Sequence, residues 1–162
     1  MPRPSLAAAL AILLAVAGCA SQPQTGTPRL TAADVDPIRM RQLDAVNAVR
    51  EQEGLVPLQY SAELNAAAET QARDMSVQAR AWHFGSDLTS PRERAFRAGY
   101  KAELSGENIA EGTDSDLVVL KSWLDFSDTR KILLDPAARG FGFGWYQEPA
   151  TGKIWWVQDI GR

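Results

Sequence analysis

Residues 139–147 read RGFGFGWYQ and contain the pattern that decides the fold. Aromatic residues alternate with glycines in this stretch, and a period of two residues is that of a β-strand. One face of the strand therefore carries Phe141, Phe143 and Trp145, whereas the other face carries only glycines. A bare glycine face predicts that another element, most simply a helix, packs very close to the strand backbone.

A second strand follows at once. Residues 148–152, EPATG, predict a turn, and residues 153–160, KIWWVQDI, predict a strand that returns antiparallel to the first. Trp155 and Trp156 are neighbours in this strand and point to opposite faces. One ring is therefore expected in the core, and the other could be exposed as part of an aromatic binding platform. Packing of both rings within the hairpin is the favoured interpretation. Residues 104–111 predict one further extended segment.

Helical patterns precede the hairpin. They predict helices over residues 38–52, after the cap at Ser61, from the capping box at Ser90 to Gly99, and from about Asp114 to Phe126. Helices first and a hairpin last predict the α+β class. We expect an α-β-α sandwich with a small, mainly antiparallel sheet between helical layers.

The composition is that of a folded domain without nucleic-acid chemistry. The 162 residues are 45% hydrophobic and 23% charged, which suits one domain with a real core. The net charge is -3, and no basic stripe is present to neutralise phosphates, so a nucleic-acid partner is not expected. Arg92, Arg94 and Arg97 do cluster, but Glu93 interrupts them, and we interpret the cluster as a solvated helix face.

The N-terminus has the features of an export signal. Arg3 precedes an apolar run over residues 6–17, which is too short to cross a bilayer as a helix. The run ends in VAGC at residues 16–19 and resembles the bacterial lipobox, in which the peptidase cuts before a cysteine that is then lipidated. Because Cys19 is the only cysteine, we predict a lipoprotein signal peptide over residues 1–18. The alternative is an ordinary signal peptide with an incidental cysteine.

The residues after Cys19 predict how the domain is attached. Residues 19–31 are small, polar and proline-bearing, which favours a flexible tether, and the folded domain is expected over residues 32–162. Acyl chains on Cys19 would anchor the protein to the membrane outside the cytoplasm. In a Gram-negative bacterium this membrane would be the outer one, because no aspartate follows the cysteine.

Eight segments, in order, resemble one protein family. They are N-x-x-R at 47–50, G-L-x-P-L at 54–58, H-x-G-S-D at 83–87, S-P-x-x-R at 90–94, A-G-Y at 98–100, G-E-N-I-A at 106–110, R-x-x-L-L-x-P at 130–136 and W-V-Q-D-I-G at 156–161. This order is similar to that of the CAP superfamily, also called the SCP or cysteine-rich secretory protein/antigen 5/pathogenesis-related-1 domain, in its bacterial form. The resemblance covers residues 42–161 and implies an α-β-α sandwich.

The resemblance also implies a ligand cleft. In the fullest family members two histidines and two glutamates line this cleft and can hold a divalent metal. The first histidine corresponds to His83 and the glutamate of the G-E-N motif to Glu107, whereas Thr129 occupies the position of the second histidine. Asp125 and Asp128 are the carboxylates nearest to the position of the second glutamate. These five residues are the candidate cleft.

A metal cofactor is disfavoured by the ligand count. A stable zinc site uses three or four protein ligands, mostly histidine or cysteine, and His83 is the only histidine of the chain. No metal ligand is therefore assigned, and no cofactor is expected.

His83 and Glu107 are also the candidates for catalysis, because a histidine held by a carboxylate can act as a general acid or base near neutral pH. A nucleophile is missing, since Ser86 is a neighbour of His83 only in sequence. The two side chains can equally hydrogen-bond each other and hold a helix to the central strand. Asn108 is expected to serve the backbone of its own turn.

Two functions from different classes follow. The leading interpretation is a non-enzymatic, lipid-anchored module that binds a lipid or protein of the cell envelope. The alternative is an envelope hydrolase that acts on peptide or peptidoglycan through His83 and Glu107. A purely structural envelope protein is a third class that the sequence leaves open.

Overall fold

The computed structural model describes residues 29–112 and 115–162. The predicted signal peptide, Cys19 and the tether up to residue 28 lie outside the described residues, as does Asp114, where the fourth helix was expected to begin. Arg29 and Leu30 already contact the domain. The Arg29 guanidinium donates to the carbonyl of Pro149 at 2.9 Å, and the backbone N–H of Leu30 donates to the side chain of Gln147 at 2.8 Å.

Helices and strands occur in the predicted order. A short 3-10 helix, Ala32–Asp34, is followed by helices α1 (Val35–Gln52), α2 (Ala62–Gln78), α3 (Pro91–Arg97), α4 (Asp116–Asp125) and α5 (Ser127–Leu133). The strands are β1 (Gln59–Tyr60), β2 (Leu104–Glu111), β3 (Gly140–Gln147) and β4 (Ile154–Gly161). They form one sheet in the order β1-β3-β4-β2, in which only β1 runs parallel to its neighbour. The predicted α+β class with a mainly antiparallel sheet is confirmed.

The glycine face of β3 packs directly on α2. A Cβ atom added to Gly142 would lie 2.5 Å from the backbone N of Asn65 and in conflict with the carbonyl carbon of Leu64. One added to Gly144 would lie 2.6 Å from the carbonyl carbon of Ala68. The predicted close approach of a helix is therefore confirmed, and it is a contact between two backbones.

The opposite face of the sheet carries the larger core. Phe141, Phe143 and Trp156 pack there with residues of α1, α4 and α5. Trp155 points to the α2 side and packs against Ala68, Ala72 and Met75. Both tryptophans of β4 are 1% exposed, so both pack in the core, as the favoured interpretation had it, and neither forms an exposed platform. The reason is that helices cover both faces of the sheet.

Helix α3 begins as predicted but buries a residue assigned to its solvated face. Ser90 and Glu93 form the capping box, with Pro91 at the first helical position. This register turns Arg94 inward, where its side chain is only 5% exposed. The interpretation of Arg94 as part of a solvated arginine cluster was therefore wrong, while Arg92 and Arg97 are exposed.

The segment after α4 forms a helix that the sequence pattern did not indicate. Phe126 adopts an extended conformation with φ -100° and ψ 131°, which ends α4 and starts α5. Helix α5 packs against β2, and Gly106 leaves room for the side chain of Ile132. Within residues 29–112 and 115–162, no helix is long and apolar enough to cross a membrane.

Candidate functional site

His83 lies in a loop that is fixed by its own hydrogen bonds. The backbone N–H of Gly85 donates to the carbonyl of Thr89 at 2.9 Å, and the Asp87 carboxylate accepts from both the backbone and the hydroxyl of Thr89. At the helix end of the loop, the Gln71 side-chain amide donates to the carbonyl of Trp82 at 2.6 Å. The loop therefore sets the position of the imidazole without help from a ligand.

The contact predicted between His83 and Glu107 is present. Nδ1 of His83 lies 2.8 Å from Oε1 of Glu107, which is buried on β2. A carboxylate only accepts hydrogen bonds, so the imidazole donates to Glu107 through Nδ1, and Nε2 takes no part in this contact. The His83 side chain is 49% exposed, so the ring connects a buried carboxylate with the surface.

The second oxygen of Glu107 is held by Arg94. Nη2 of Arg94 lies 2.6 Å from Oε2 of Glu107, and Nη1 donates to the carbonyl of Thr89 at 2.9 Å. The arginine thus ties α3, β2 and the His83 loop together. Sequence reasoning missed this role. The signal that could have found it is the spacing of the S-P-x-x-R motif, which places an arginine one turn after the helix cap.

A second carboxyl group, Asp159, lies beside Glu107 on the neighbouring strand. The two residues are register partners of β2 and β4, and Asp159 is 1% exposed. Neither of its oxygens has a hydrogen-bond partner among the described residues. Burial, together with the negative charge of Glu107, raises the pKa of Asp159 well above its usual range, against the opposing effect of Arg94. When Asp159 is protonated, Glu107 is the carboxylate that balances the charge of Arg94.

The other predicted cleft residues lie elsewhere. Asp125 pairs with Lys121 at 2.5 Å, and Asp128 pairs with Lys131 at 2.8 Å, each within its own helix. The Thr129 hydroxyl donates to the carbonyl of Trp123 at 2.6 Å. Their helices, α4 and α5, pack on the face of the sheet opposite to the one that carries Glu107 and Asp159. The structure therefore brings His83 and Glu107 together. It places the other three candidates, Asp125, Asp128 and Thr129, away from this pair.

Asn108 corrects a further prediction. It lies inside β2, fully buried, and its amide donates to Gln158 at 3.3 Å and to the carbonyl of Thr129 at 3.4 Å. It thus links two strands and the start of α5 rather than serving a turn of its own.

The residues around His83 do not fit a metal ion. Both oxygens of Glu107 are engaged, and the guanidinium of Arg94 places a positive charge where a cation would have to bind. Across the part of the chain that the structure describes, no three histidine, cysteine, aspartate or glutamate side chains lie close enough to hold a metal.

The residues around His83 also lack a nucleophile for the imidazole. The Ser86 hydroxyl donates to Asp74 at 2.6 Å, and the backbone N–H of Ser86 donates to the same carboxylate. In the described residues, no hydroxyl is hydrogen-bonded to the His83 ring. The geometry is that of a histidine fixed by a carboxylate, without the third member of a hydrolytic triad.

A groove opens next to this cluster, between α2, α3 and the loop of residues 85–89. Its volume is about 820 Å³. Gln71 and Arg94 line it, and Arg94 also binds Glu107, so the groove adjoins the His83–Glu107 pair. The remaining lining residues belong to α2, to that loop and to the end of α3: Ala66, Ala67, Glu69, Thr70, Arg73, Asp74, Val77, Gly85, Ser86, Asp87, Thr89, Arg97 and Ala98.

The sandwich, in which a loop histidine contacts a buried glutamate of the edge strand β2, defines a known class of domain. The model of the CAP family, described as the cysteine-rich secretory protein family, matches residues 43–160, and the chain belongs to this family. A curated relative, the uncharacterized protein YkwD of Bacillus subtilis (strain 168), is 29% identical over 143 residues, which are 88% of this chain. The chain spans only 54% of the length of that relative.

Solved structures share the fold. An extracellular protein of Bacillus anthracis that contains an SCP domain is 24% identical with a TM-score of 0.72, covering 83% of this chain and 45% of that chain. An outer surface protein of Borrelia burgdorferi is 18% identical with a TM-score of 0.70, covering 80% of this chain and 96% of that chain. At these identities the likeness concerns the fold alone.

Proposed function

We propose that this protein is a lipid-anchored, extracytoplasmic binding module, and that the groove between α2, α3 and residues 85–89 holds its ligand. The observation that carries the proposal is the groove, whose volume of about 820 Å³ falls within the range of ligand sites. It adjoins the family's histidine–glutamate pair, and it is built on two helices and a loop that is fixed by internal hydrogen bonds.

The contacts of His83 and Glu107 support binding rather than catalysis. Glu107 is buried and fully engaged by His83 and Arg94, and Ser86 is committed to Asp74. These contacts fix the positions of α3 and of the His83 loop, which form part of the groove. Among the residues that the structure describes, no hydroxyl lies in place for acyl transfer by this pair.

The cellular location rests on the sequence and on relatives. The predicted signal peptide and Cys19 support export and lipidation, so the membrane is one partner of the protein. Two proteins of the same fold are described as an extracellular protein and an outer surface protein, which agrees with an extracytoplasmic domain.

Blocking the groove tests the proposal. Thr70 is exposed and lines the groove, so Thr70→Trp fills it without disturbing the core. The matched control is Glu51→Trp, on an exposed position of α1 in the other layer. The mature forms of the wild type and of both variants are used to capture partners from detergent-solubilised envelope, and bound proteins and lipids are identified by mass spectrometry. A ligand captured by the wild type and by Glu51→Trp, but not by Thr70→Trp, is expected.

Two outcomes would contradict the proposal. One is capture that Thr70→Trp leaves unchanged, because the ligand would then bind outside the groove. The other is release of products from purified peptidoglycan by the wild type and its loss in His83→Ala, since that result would establish the hydrolase.

A further inference from the structure

We infer that the α3 segment, residues 89–98, is a gate at the groove that stays closed while the buried carboxyl group of Asp159 is protonated and opens when this proton is lost. The consequence for ligand binding rests on the proposed function, because the segment forms one wall of the groove. Three features support the inference: the charges around Asp159, the weak attachment of α3 and the rigid packing on the other sides.

One cation and one other carboxyl group surround Asp159. Glu107 lies opposite it on β2, Arg94 of α3 binds one oxygen of Glu107, and His83 binds the other. The neighbour on β3 is Gly142. Helix α2 buries no titratable side chain, since its buried residues are Leu64, Asn65, Ala67, Ala68, Gln71, Ala72 and Met75. These contacts leave no place for a metal ion, so a second carboxylate in this cluster would lack a cation of its own.

An ionised Asp159 would be a buried charge without hydrogen bonds. The residue is 1% exposed, and neither of its oxygens has a partner among the described residues. Burial and then the charge of Glu107 raise its pKa, against the smaller effect of Arg94. Ionisation therefore favours any conformation in which water reaches this carboxyl group.

Helix α3 is weakly attached to the rest of the domain. Of its seven residues only Arg94 and Ala95 are buried, so displacing it exposes little apolar surface. Residues with left-handed backbone conformations lie on both sides of the segment, Leu88 with φ 65° and Gly99 with φ 109°. Leu88 is also 75% exposed. A segment with few buried contacts and a distinct backbone conformation at each end can open locally while the rest of the domain stays folded.

The other sides of the cluster are held more firmly. Helix α2 has seven buried residues and rests on the backbone of β3 at Gly142 and Gly144. Glu107 and Asp159 lie on paired strands within one sheet. Water therefore reaches Asp159 most easily where α3 moves away and takes Arg94 with it.

The gate should open as the pH rises. Asp159 holds its proton more tightly in the closed state, where its pKa is raised, than in an open state that hydrates it. The closed state is therefore fully favoured below the pKa of a hydrated aspartate and is lost as the pH rises towards the raised pKa. In this window the equilibrium constant for opening increases by up to about tenfold per pH unit. Opening removes the groove wall that Thr89, Arg94, Arg97 and Ala98 form.

Native-state hydrogen exchange measures the opening. NMR follows the backbone amides of Arg94 and Ala98, which donate to the carbonyls of Ser90 and Arg94, in the purified mature protein from pH 5 to pH 8. After correction for intrinsic exchange, we expect the opening constant at both amides to rise with pH, by up to about tenfold per unit. It should also exceed the opening constant at the amide of Ala68 in α2, because the opening is local.

Two variants identify the group that drives the opening. Asp159→Asn has no carboxyl proton to lose, so its α3 segment should open to the same extent across the pH range. The matched control is Asp116→Asn, which removes a buried carboxyl group that binds Arg41 in the other layer. This control should keep the pH dependence of the wild type.

Three results would overturn the inference. They are an opening that does not change with pH, a pH dependence that Asp159→Asn retains, and equal opening constants in α3 and α2. The carbon-13 shift of the Asp159 carboxyl group gives an independent reading, since an ionised group at pH 5 would contradict the gate whatever the variants do. These measurements use no ligand, so their failure leaves the proposed function standing. Capture that Thr70→Trp leaves unchanged would contradict the proposed function and leave the gate intact.

Discussion

Arg94 and Glu107 form a buried ion pair whose charge balance depends on a third side chain, Asp159. Burying charges is unfavourable unless they are paired and hydrogen-bonded. Glu107 meets this condition through Arg94 and His83, but both oxygens of Asp159 lack partners among the described residues. The neutral form of Asp159 is therefore the one that the fold favours.

Replacing Asp159 by asparagine should change how stability depends on pH. The pKa of Asp159 is raised in the folded protein, so its contribution to stability is fully present below the pKa of the unfolded chain. It is lost as the pH rises towards the folded pKa, at up to about 1.4 kcal/mol per pH unit. Asp159→Asn keeps the neutral shape and should escape this loss. We expect the variant to be similar to the wild type near pH 4 and more stable at pH 8.

Urea unfolding of both proteins across this pH range measures the effect. The difference between the two curves removes the contributions of all other titrating groups. A difference that is constant with pH would show that Asp159 is ionised in the folded protein, and the assignment of a neutral carboxyl would be wrong.

Zinc should not bind at His83. A zinc site needs at least three protein ligands, but Glu107 is shared between His83 and Arg94, and the guanidinium repels a cation. Calorimetric titration of the mature protein with zinc is expected to show no saturable binding in the micromolar range. Tight binding that His83→Ala abolishes would mean that the loop rearranges to expose other ligands.

The residues of the site could be predicted from sequence only in part. His83 and Glu107 came from the family resemblance, and the contact between them is present. Arg94 was misjudged because its neighbours Arg92 and Arg97 do face solvent, and only the register set by the capping box separates them. Asp159 gave no signal, since alternation along β4 shows which face a residue takes but not which side chain lies opposite on β2.

Among the elements, β3 and α2 form the contact on which the sandwich depends most directly. Gly142 and Gly144 face the backbone of α2 with no side chain between them, which sets the distance between sheet and helix. The alternation of glycine and aromatic residues was enough to predict this contact. It was not enough to predict α5, because the break at Phe126 is a backbone conformation without a distinctive residue.

Two glycine substitutions should differ in their effect on stability. Gly142→Ala places a methyl group against the backbone of Leu64 and Asn65, which can move only with the whole helix, and we expect a loss of about 3 kcal/mol or more. Gly106→Ala meets only the side chain of Ile132, with the nearest atom at 2.7 Å, and a rotamer change relieves that conflict. Its loss should be about 1 kcal/mol.

Thermal and denaturant unfolding of the two variants make the comparison. Both are glycines within strands, so the strand propensity of alanine is a common factor. Equal losses, or a melting temperature unchanged by Gly142→Ala, would contradict a backbone-to-backbone contact.

For the whole molecule, the first residues that the structure describes lie beside the β3–β4 hairpin. Arg29 and Leu30 are bound to Pro149 and Gln147, so a lipid on Cys19 would connect to this end of the domain. We predict that a fatty-acid probe labels the wild type in cells and does not label Cys19→Ser, because Cys19 alone follows the V-A-G sequence. The variant should also leave the membrane fraction. Equal labelling of both proteins would rule out lipidation at this residue.

The fold as a whole was more predictable than its site. Helix and strand periods are local, and the order of elements restricts the layers to few arrangements. A site depends on which side chains meet across layers, which local patterns do not contain. The five-residue cleft suggested by the resemblance shows this limit, because His83 and Glu107 lie on one side of the sheet and the helices with Asp125, Asp128 and Thr129 pack on the other.

The two kinds of glycine contact have different consequences for how this sequence can diverge. At Gly106 a larger residue can be compensated by a smaller one at position 132, so the two positions are free to drift together over generations. Gly142 and Gly144 meet main-chain atoms, and no replacement on α2 removes a main chain. Descendants of this chain are therefore expected to keep glycine at both positions, whatever happens to the side chains of the helix.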